Sequence, residues 1–244
     1  AQAAGGIWRN KHLGTFGKCG TFSFDAVKTM TTGEGGMVIT DDEKLWRYMS
    51  EYHDHGHDHV PNPGGRGGEG RSFIGFNYRM MELQGAMGLA QLAQLDDMIG
   101  AQKKNKAAIK DVISRIPGVT FRTLVDEEGD TATFFAFFLP SPEMAQEVNT
   151  ILQDNGAGAI SFANNTWHYY PKWEHLINGS TIARSGWPFK DQDGRRRVIY
   201  DPEHLPASAE IMSRLLVYQV PVKLSDERLA QISAAVDKVV EATS

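Results

Sequence analysis

Thr21–Thr40, TFSFDAVKTMTTGEGGMVIT, is the stretch from which the fold is read. Thr21–Phe24 is a short apolar and aromatic run that predicts a strand end. Asp25–Gly36 is polar and glycine-rich, so it predicts a loop, and it carries Lys28 five residues past Ser23. Met37-Val38-Ile39-Thr40 is apolar and partly β-branched and predicts a second strand. Gly33, Gly35 and Gly36 allow the backbone to turn back sharply, because glycine visits positive φ at little cost. The expected product is a serine and a lysine held on a tight loop between two buried strands. Burial on such a turn favours the neutral, nucleophilic form of an amine. Spacing alone leaves open an ordinary solvated loop lysine.

Ser23-Phe24, Lys28 and Gly33-Glu34-Gly35-Gly36-Met37, preceded by Gly14-Thr15-Phe16-Gly17, resemble the active-site signature of the DegT/StrS-type sugar aminotransferases. These are pyridoxal phosphate enzymes of the aspartate aminotransferase fold. The likeness continues through Gly75-Phe76-Asn77-Tyr78-Arg79-Met80 and Glu82-Leu83-Gln84, and loosely through Leu215–Val222. It therefore covers nearly the whole chain in order.

The resemblance implies an α/β protein, a pyridoxal phosphate-dependent transferase of fold type I. Residues 1–100 would be the C-terminal part of the large cofactor-binding domain and residues 101–244 a smaller C-terminal α+β domain. An N-terminal portion of the large domain is expected ahead of Ala1. That portion would include the aspartate that keeps the pyridine nitrogen protonated. The implied activity moves an amino group, with glutamate as donor, to a keto or aldehyde sugar in cell-surface polysaccharide (lipopolysaccharide) biosynthesis. His53–Gly70 and Met80-Met81-Glu82 resemble family members that act on an eight-carbon keto sugar acid, an 8-oxo-3,8-dideoxy-octulosonate.

Residue by residue, the resemblance makes Lys28 the amine that bonds the cofactor's aldehyde and then moves a proton as general base. Relatives with histidine at this position are dehydratases, so lysine points to amino transfer. Ser23 would donate to the phosphate and Gln2 would face the pyridine ring. Asn77 would reach the phosphate of a partner subunit, which implies a homodimer with a shared active site. His55, in a His-Gly pair, and Arg79 are the expected substrate contacts.

Composition bounds the alternatives. The chain has 244 residues, 41% hydrophobic and 23% charged, which suits a globular protein with a sizeable core. A net charge of -5 argues against a nucleic-acid surface. No apolar run approaches the roughly 18 to 20 residues of a membrane span, and no signal peptide opens the chain. One cysteine, Cys19, excludes an internal disulfide and makes a reducing cytoplasm the default; it reads as a small buried residue.

Along the chain, Thr40-Asp41-Asp42-Glu43 reads as a capping box with Thr40 as N-cap, followed by Leu45, Tyr48, Met49 and Tyr52 at helical spacing. His53-Asp54-His55-Gly56-His57-Asp58-His59 alternates imidazole and carboxylate, which are good zinc ligands, but Gly56 and Pro61-Asn62-Pro63 make it a loop at the mouth of a site. No metal is expected. The Gly64–Gly70 run lacks the Gly-Lys-Ser/Thr ending of a phosphate loop and reads as a lid or linker. Met81–Ile116 predicts a long helix with Leu83, Ala86, Met87 and Ala90 on one face and a kink near Gly100. Thr131–Leu139 predicts a strand, Ser141-Pro142 opens a helix that runs to Gly156, Leu215–Val222 predicts a strand, and Ser225-Asp226-Glu227 opens a last helix. Phe162–Trp173 is aromatic and irregular, either a substrate wall or core. Arg195-Arg196-Arg197 reads as a solvated face before a phosphate site. Two other functional classes remain open on residues alone: a metal-dependent hydrolase built on His53–His59, and a non-catalytic protein of the same fold.

Overall fold

The computed structural model describes residues 2–60 and 68–243. The chain divides into two compact units, Ala1–Lys103 with Leu124–Thr133, and Lys104–Thr123 with Phe134–Ser244.

The first unit opens with a two-residue ribbon, β1 (Ile7–Trp8) against β2 (Lys11–His12). Arg9 and Asn10 turn it at φ 49 and 60. Next, β3 (Gly20–Ser23) and β4 (Gly36–Ile39) form an antiparallel hairpin in which Gly20 faces Ile39 and Ser23 faces Gly36. A Cβ at Gly20 would sit 2.1 Å from the Gly14 carbonyl oxygen, so only glycine lets the Gly14–Gly17 turn cross β3 so closely. Beyond the hairpin, Phe24 and Met30 are buried with Leu95 and Ile99, and Ala4, Phe22 and Met98 pack against them. The expectation of two buried strands holds only in part. In β4, Met37 is 49% exposed and its neighbour Val38, on the opposite face, is also exposed, so among the described residues neither face of the strand is fully covered.

Helix α1 (Glu43–His53) is capped by Asp42, whose carboxylate accepts from the Lys44 and Leu45 amides at 3.0 and 3.1 Å. Thr40 is therefore not the N-cap: its hydroxyl donates to the Lys18 carbonyl and accepts from the Asp42 amide. Tyr48 and Tyr52, two of the residues at helical spacing, are exposed and lean on Phe73, with Tyr48 stacked at a centroid distance of 4.5 Å. The long predicted helix is two: α2 (Glu82–Leu92) and α3 (Leu95–Ile113). The break falls at Ala93–Gln94, and the helical span of α3 continues through Gly100 without interruption. No residue of α2 is buried, and Leu83 is 80% exposed. Its apolar stripe is real but lies uncovered among the described residues.

The second unit is built on an antiparallel sheet. In chain order it contains β5 (Thr120–Phe121), β6 (Phe134–Phe138), α4 (Pro142–Asp154), β7 (Ile160–Ser161), α5 (Glu174–Ile177), α6 (Pro206–Ser213), β8 (Leu215–Gln219) and α7 (Asp226–Thr243). The sheet order is β5-β6-β8-β7. Alternate residues of β6 serve opposite faces, as strand geometry requires. Phe135 and Phe137 join Val148 and Leu152 of α4, Ile232, Val236 and Val239 of α7, and Ile109 and Ile113 of α3 in the main core. Ala136, with Leu215 and Val217 of β8, packs against Phe134, Phe138, Phe162 and Met212 on the other side. Ser141 caps α4 by accepting from the Met144 amide at 3.2 Å, Pro142 occupies its first turn, and Gly156 ends the segment at φ 71. The two predicted strands are shorter than their apolar runs; Ala132, at φ 57, bends the chain just before β6.

Leu152 is fully buried between α4 and the sheet. Leu152→Ala is expected to destabilise the protein by about 2–5 kcal/mol, read as a lower urea midpoint at unchanged slope.

Candidate active site

Two groups of side chains flagged by the sequence occupy the first unit. The first surrounds the loop between β3 and β4. Phe24 anchors it: its amide donates to the Gly35 carbonyl at 2.9 Å, and its carbonyl accepts from the Thr32 amide at 2.9 Å and the Thr31 hydroxyl at 3.1 Å. The buried Thr32 donates its hydroxyl to the Glu34 carbonyl at 2.6 Å, which also accepts from Gln84 Nε2 at 2.8 Å. Gly33 and Gly35 make the return at φ 81 and 145. Inside this frame the Lys28 amide donates to the Asp25 carbonyl at 3.0 Å, and Asp25 Oδ1 accepts from the Val27 amide at 2.8 Å.

Lys28 is half-buried, and among the described residues no hydrogen bond or ion pair engages its Nζ. Among the described residues Ser23 Oγ serves only as a distant acceptor for the Asp25 amide at 3.5 Å, so its own proton is available to donate. Gln2 is exposed and its carbonyl accepts from the Thr133 hydroxyl at 3.4 Å. Two residues on, Ala4 packs into the cluster of Phe24 and Met30, so Gln2, Ser23 and Lys28 belong to segments that converge on one apolar anchor.

The second group is gathered by a backbone zipper. The His55 amide donates to the Phe76 carbonyl, the Phe76 amide to the Tyr52 carbonyl and the Tyr78 amide to the His53 carbonyl, each at 2.9 Å. A Cβ at Gly56 would sit 1.9 Å from the Phe73 carbonyl oxygen, and one at Gly75 would sit 2.4 Å from the Gly56 nitrogen. This crossing explains why glycine follows His55. It brings Asn77, Arg79 and His55 around Asp54, whose side chain is 13% exposed. Arg79 Nη1 lies 3.2 Å from Asp54 Oδ1, His55 Nδ1 lies 3.2 Å from the same oxygen, and His59 Nε2 lies 3.8 Å from Oδ2. Arg79 Nε donates to Asn77 Oδ1 at 3.2 Å. Burial alone would raise the Asp54 carboxyl. The His55 hydrogen bond and the charges of Arg79, His57 and His59 outweigh it and hold the group below the ordinary aspartate value. Among the described residues, no hydrogen bond or ion pair joins this group to Ser23 or Lys28.

Asp54 is the residue that sequence reasoning missed. Its signal was present, a carboxylate set among imidazoles, but the alternation suggested metal ligands. Among the described residues no set of three or more His, Cys, Asp or Glu side chains is placed to hold a metal ion. The Gly64–Gly67 part of the glycine run lies outside the described residues. Cys19 is exposed, not buried. In the second unit Arg196 binds the Ile177 and Val198 carbonyls and Arg197 lies over the Trp187 ring, so two of the three arginines brace local structure. The aromatic stretch contributes Tyr170 to a cavity of about 340 Å³ that also involves Tyr200, Asp201 and His204.

A sequence-family model described as the DegT/DnrJ/EryC1/StrS aminotransferase family matches residues 1–237. The chain is 33% identical over 258 aligned residues to L-glutamine:2-deoxy-scyllo-inosose aminotransferase of Micromonospora echinospora, covering 98% of this chain and 57% of that protein. It is 31% identical over 194 residues to GDP-perosamine synthase of Vibrio cholerae, covering 76% of this chain and 49% of the relative. Among solved structures, an aminotransferase from Psychrobacter cryohalolentis superposes with a TM-score of 0.75 at 23% identity, covering 98% of this chain and 60% of that one. The chain thus spans about half the length of the curated relatives it matches.

Because folding lowers the Asp54 carboxyl, its contribution to stability is complete above the ordinary value of 3.8 and is lost as pH falls through the lower folded value. The stability difference between the unsubstituted protein and Asp54→Asn is therefore expected to be largest at about pH 5 and to shrink on acidification below 3.8, measured by urea unfolding across that range.

Proposed function

This chain belongs to the DegT/DnrJ/EryC1/StrS aminotransferase family, and from that premise we propose that its hairpin loop binds pyridoxal 5′-phosphate and serves amino transfer from glutamate to a keto or aldehyde sugar. The observation that carries the reading is Lys28, a half-buried residue whose amine is unpaired among the described residues, on a loop fastened to Phe24 through Thr31, Thr32 and Gly35.

The donor set suits this cofactor. An aldehyde needs an amine, and a phosphate dianion needs donors without competing partners. Lys28 Nζ supplies the first and the free proton of Ser23 Oγ the second, on one hairpin. Bound there, pyridoxal phosphate would supply a ring that withdraws electrons from the donor's Cα. Lys28 would hold the aldehyde through its amine and would carry a proton as general base. Ser23 orients the phosphate, and Gln2 borders the ring. Asn77 acts from a second copy of the chain, which fits the lack, among the described residues, of any direct bond between the Asn77 group and Lys28. The exposed apolar face of α2 suits such a homodimer. His55 and Arg79 border the substrate.

For the acceptor, relatives named for nucleotide-linked and cyclitol substrates frame the choice. We place the reaction in nucleotide-sugar or cell-surface polysaccharide biosynthesis, with an eight-carbon keto sugar acid as the narrower candidate. Among the described residues, no helix is long and apolar enough to cross a membrane.

The test uses the full-length protein reconstituted with pyridoxal phosphate. A visible cofactor band that fades when glutamate is added is the expected result; a colourless protein indifferent to glutamate contradicts the proposal. Lys28→Ala is expected to abolish the band and to lower turnover by at least about 10²–10⁴-fold. Ser23→Ala is expected to retain the band and to weaken cofactor affinity by about 10–100-fold, as loss of a hydrogen bond to a charged group predicts.

A further inference from the structure

Asn77 has a carboxamide whose two ends can exchange by a flip about χ2, and the two ends have opposite meaning for an anion. The oxygen repels a phosphate; the NH2 donates to it. In this structure the end facing Arg79 is fixed by chemistry. Both neighbours on that side are donors, Arg79 Nε at 3.2 Å and the Arg79 amide at 3.4 Å. An arginine side chain has no acceptor to offer, so the carboxamide oxygen must face it and the NH2 must face away. Among the described residues that NH2 has no partner.

Arg79 is itself held. Its Nη1 meets Asp54 Oδ1 at 3.2 Å, and Asp54 is paired with Asn77 across an antiparallel backbone bridge. Asp54 is largely buried while Arg79 is half exposed. An exposed arginine without a fixed carboxylate samples many rotamers. The buried carboxylate therefore sets the guanidinium, and the guanidinium sets the amide.

We infer that Asp54 is a positioning residue which, through Arg79, locks the Asn77 carboxamide with its NH2 outward as a preset phosphate donor. The inference rests on the reading of Asn77 as a ligand of the cofactor phosphate. It gives Arg79 the role of a brace, since two of its donors are already committed. His55 and His59 also approach the Asp54 carboxylate, at 3.2 and 3.8 Å.

The experiment is a double-mutant cycle on equilibrium affinity for pyridoxal phosphate, read by tryptophan fluorescence on the full-length protein without substrates. Asp54→Asn is expected to weaken affinity about 10-fold when Asn77 is present and to have almost no effect in an Asn77→Ala background. Arg79→Lys keeps the charge but loses the fork, so it should reproduce the loss and the same dependence on Asn77. This second variant reports even if Asp54→Asn fails to fold. Equal losses in both backgrounds would assign Asp54 and Arg79 a merely structural role and overturn the inference, while leaving the function of Lys28 intact. No binding by the unsubstituted protein would overturn both readings.

Discussion

Phe24 is the fastening on which the rest of the site depends. Its amide and carbonyl are both spent inside the hairpin, and its ring is buried with Met30, Leu95 and Ile99. Burying such a ring contributes about 1.5–3 kcal/mol. Ordering a loop residue costs about 1–2 kcal/mol, so one anchor cannot hold a dozen residues by itself. The remainder comes from Thr31, Thr32 and Gln84, which satisfy the loop's carbonyls, and from Gly33 and Gly35, which take up the positive φ without strain. Ser23 immediately precedes the anchor and Lys28 lies four residues beyond it. Their placement follows from a hydrophobic contact and a backbone pairing, with only the 3.5 Å contact from the Asp25 amide engaging Ser23 Oγ.

The second group obeys a different constraint, close backbone crossing. Gly56 and Gly75 allow the segment after α1 to lie against the segment before α2 at distances any Cβ would prevent. The charges then follow: Asp54 on one segment meets Arg79 on the other, and the carboxamide oxygen of Asn77 accepts from Arg79. The glycines make the geometry and the ions select one arrangement within it.

Much of the architecture was legible because burial writes a period into sequence. The spacing of Val148 and Leu152, and of Ile232, Val236 and Val239, reads as helix because those residues must share a face against one sheet. Ser141-Pro142 reads as a helix start because its chemistry is local. Local chemistry also misled. Thr40 and Asp42 are both good caps, and the choice was made by the Lys18 carbonyl, a partner distant in sequence. Ala93 and Gln94 favour helix, so nothing there announced the break, and the helical span passes through Gly100 unbroken. The exposed faces of β4 and α2 read as core because sequence records apolarity and not what covers it. Ser23 and Lys28 are proposed through resemblance, since a serine and lysine five residues apart carry little information alone. Asp54 was visible in sequence but not its partner, because a contact between residues 54 and 79 leaves no periodic trace.

The central claim concerns one nitrogen, and covalent trapping addresses it directly. Full-length protein loaded with pyridoxal phosphate would be reduced with borohydride, digested, and mapped by mass spectrometry for the pyridoxyl group. The account predicts the label on the peptide that contains Lys28 and nowhere else in stoichiometric amount. A stoichiometric label on another lysine, with Lys28 unmodified, would contradict it.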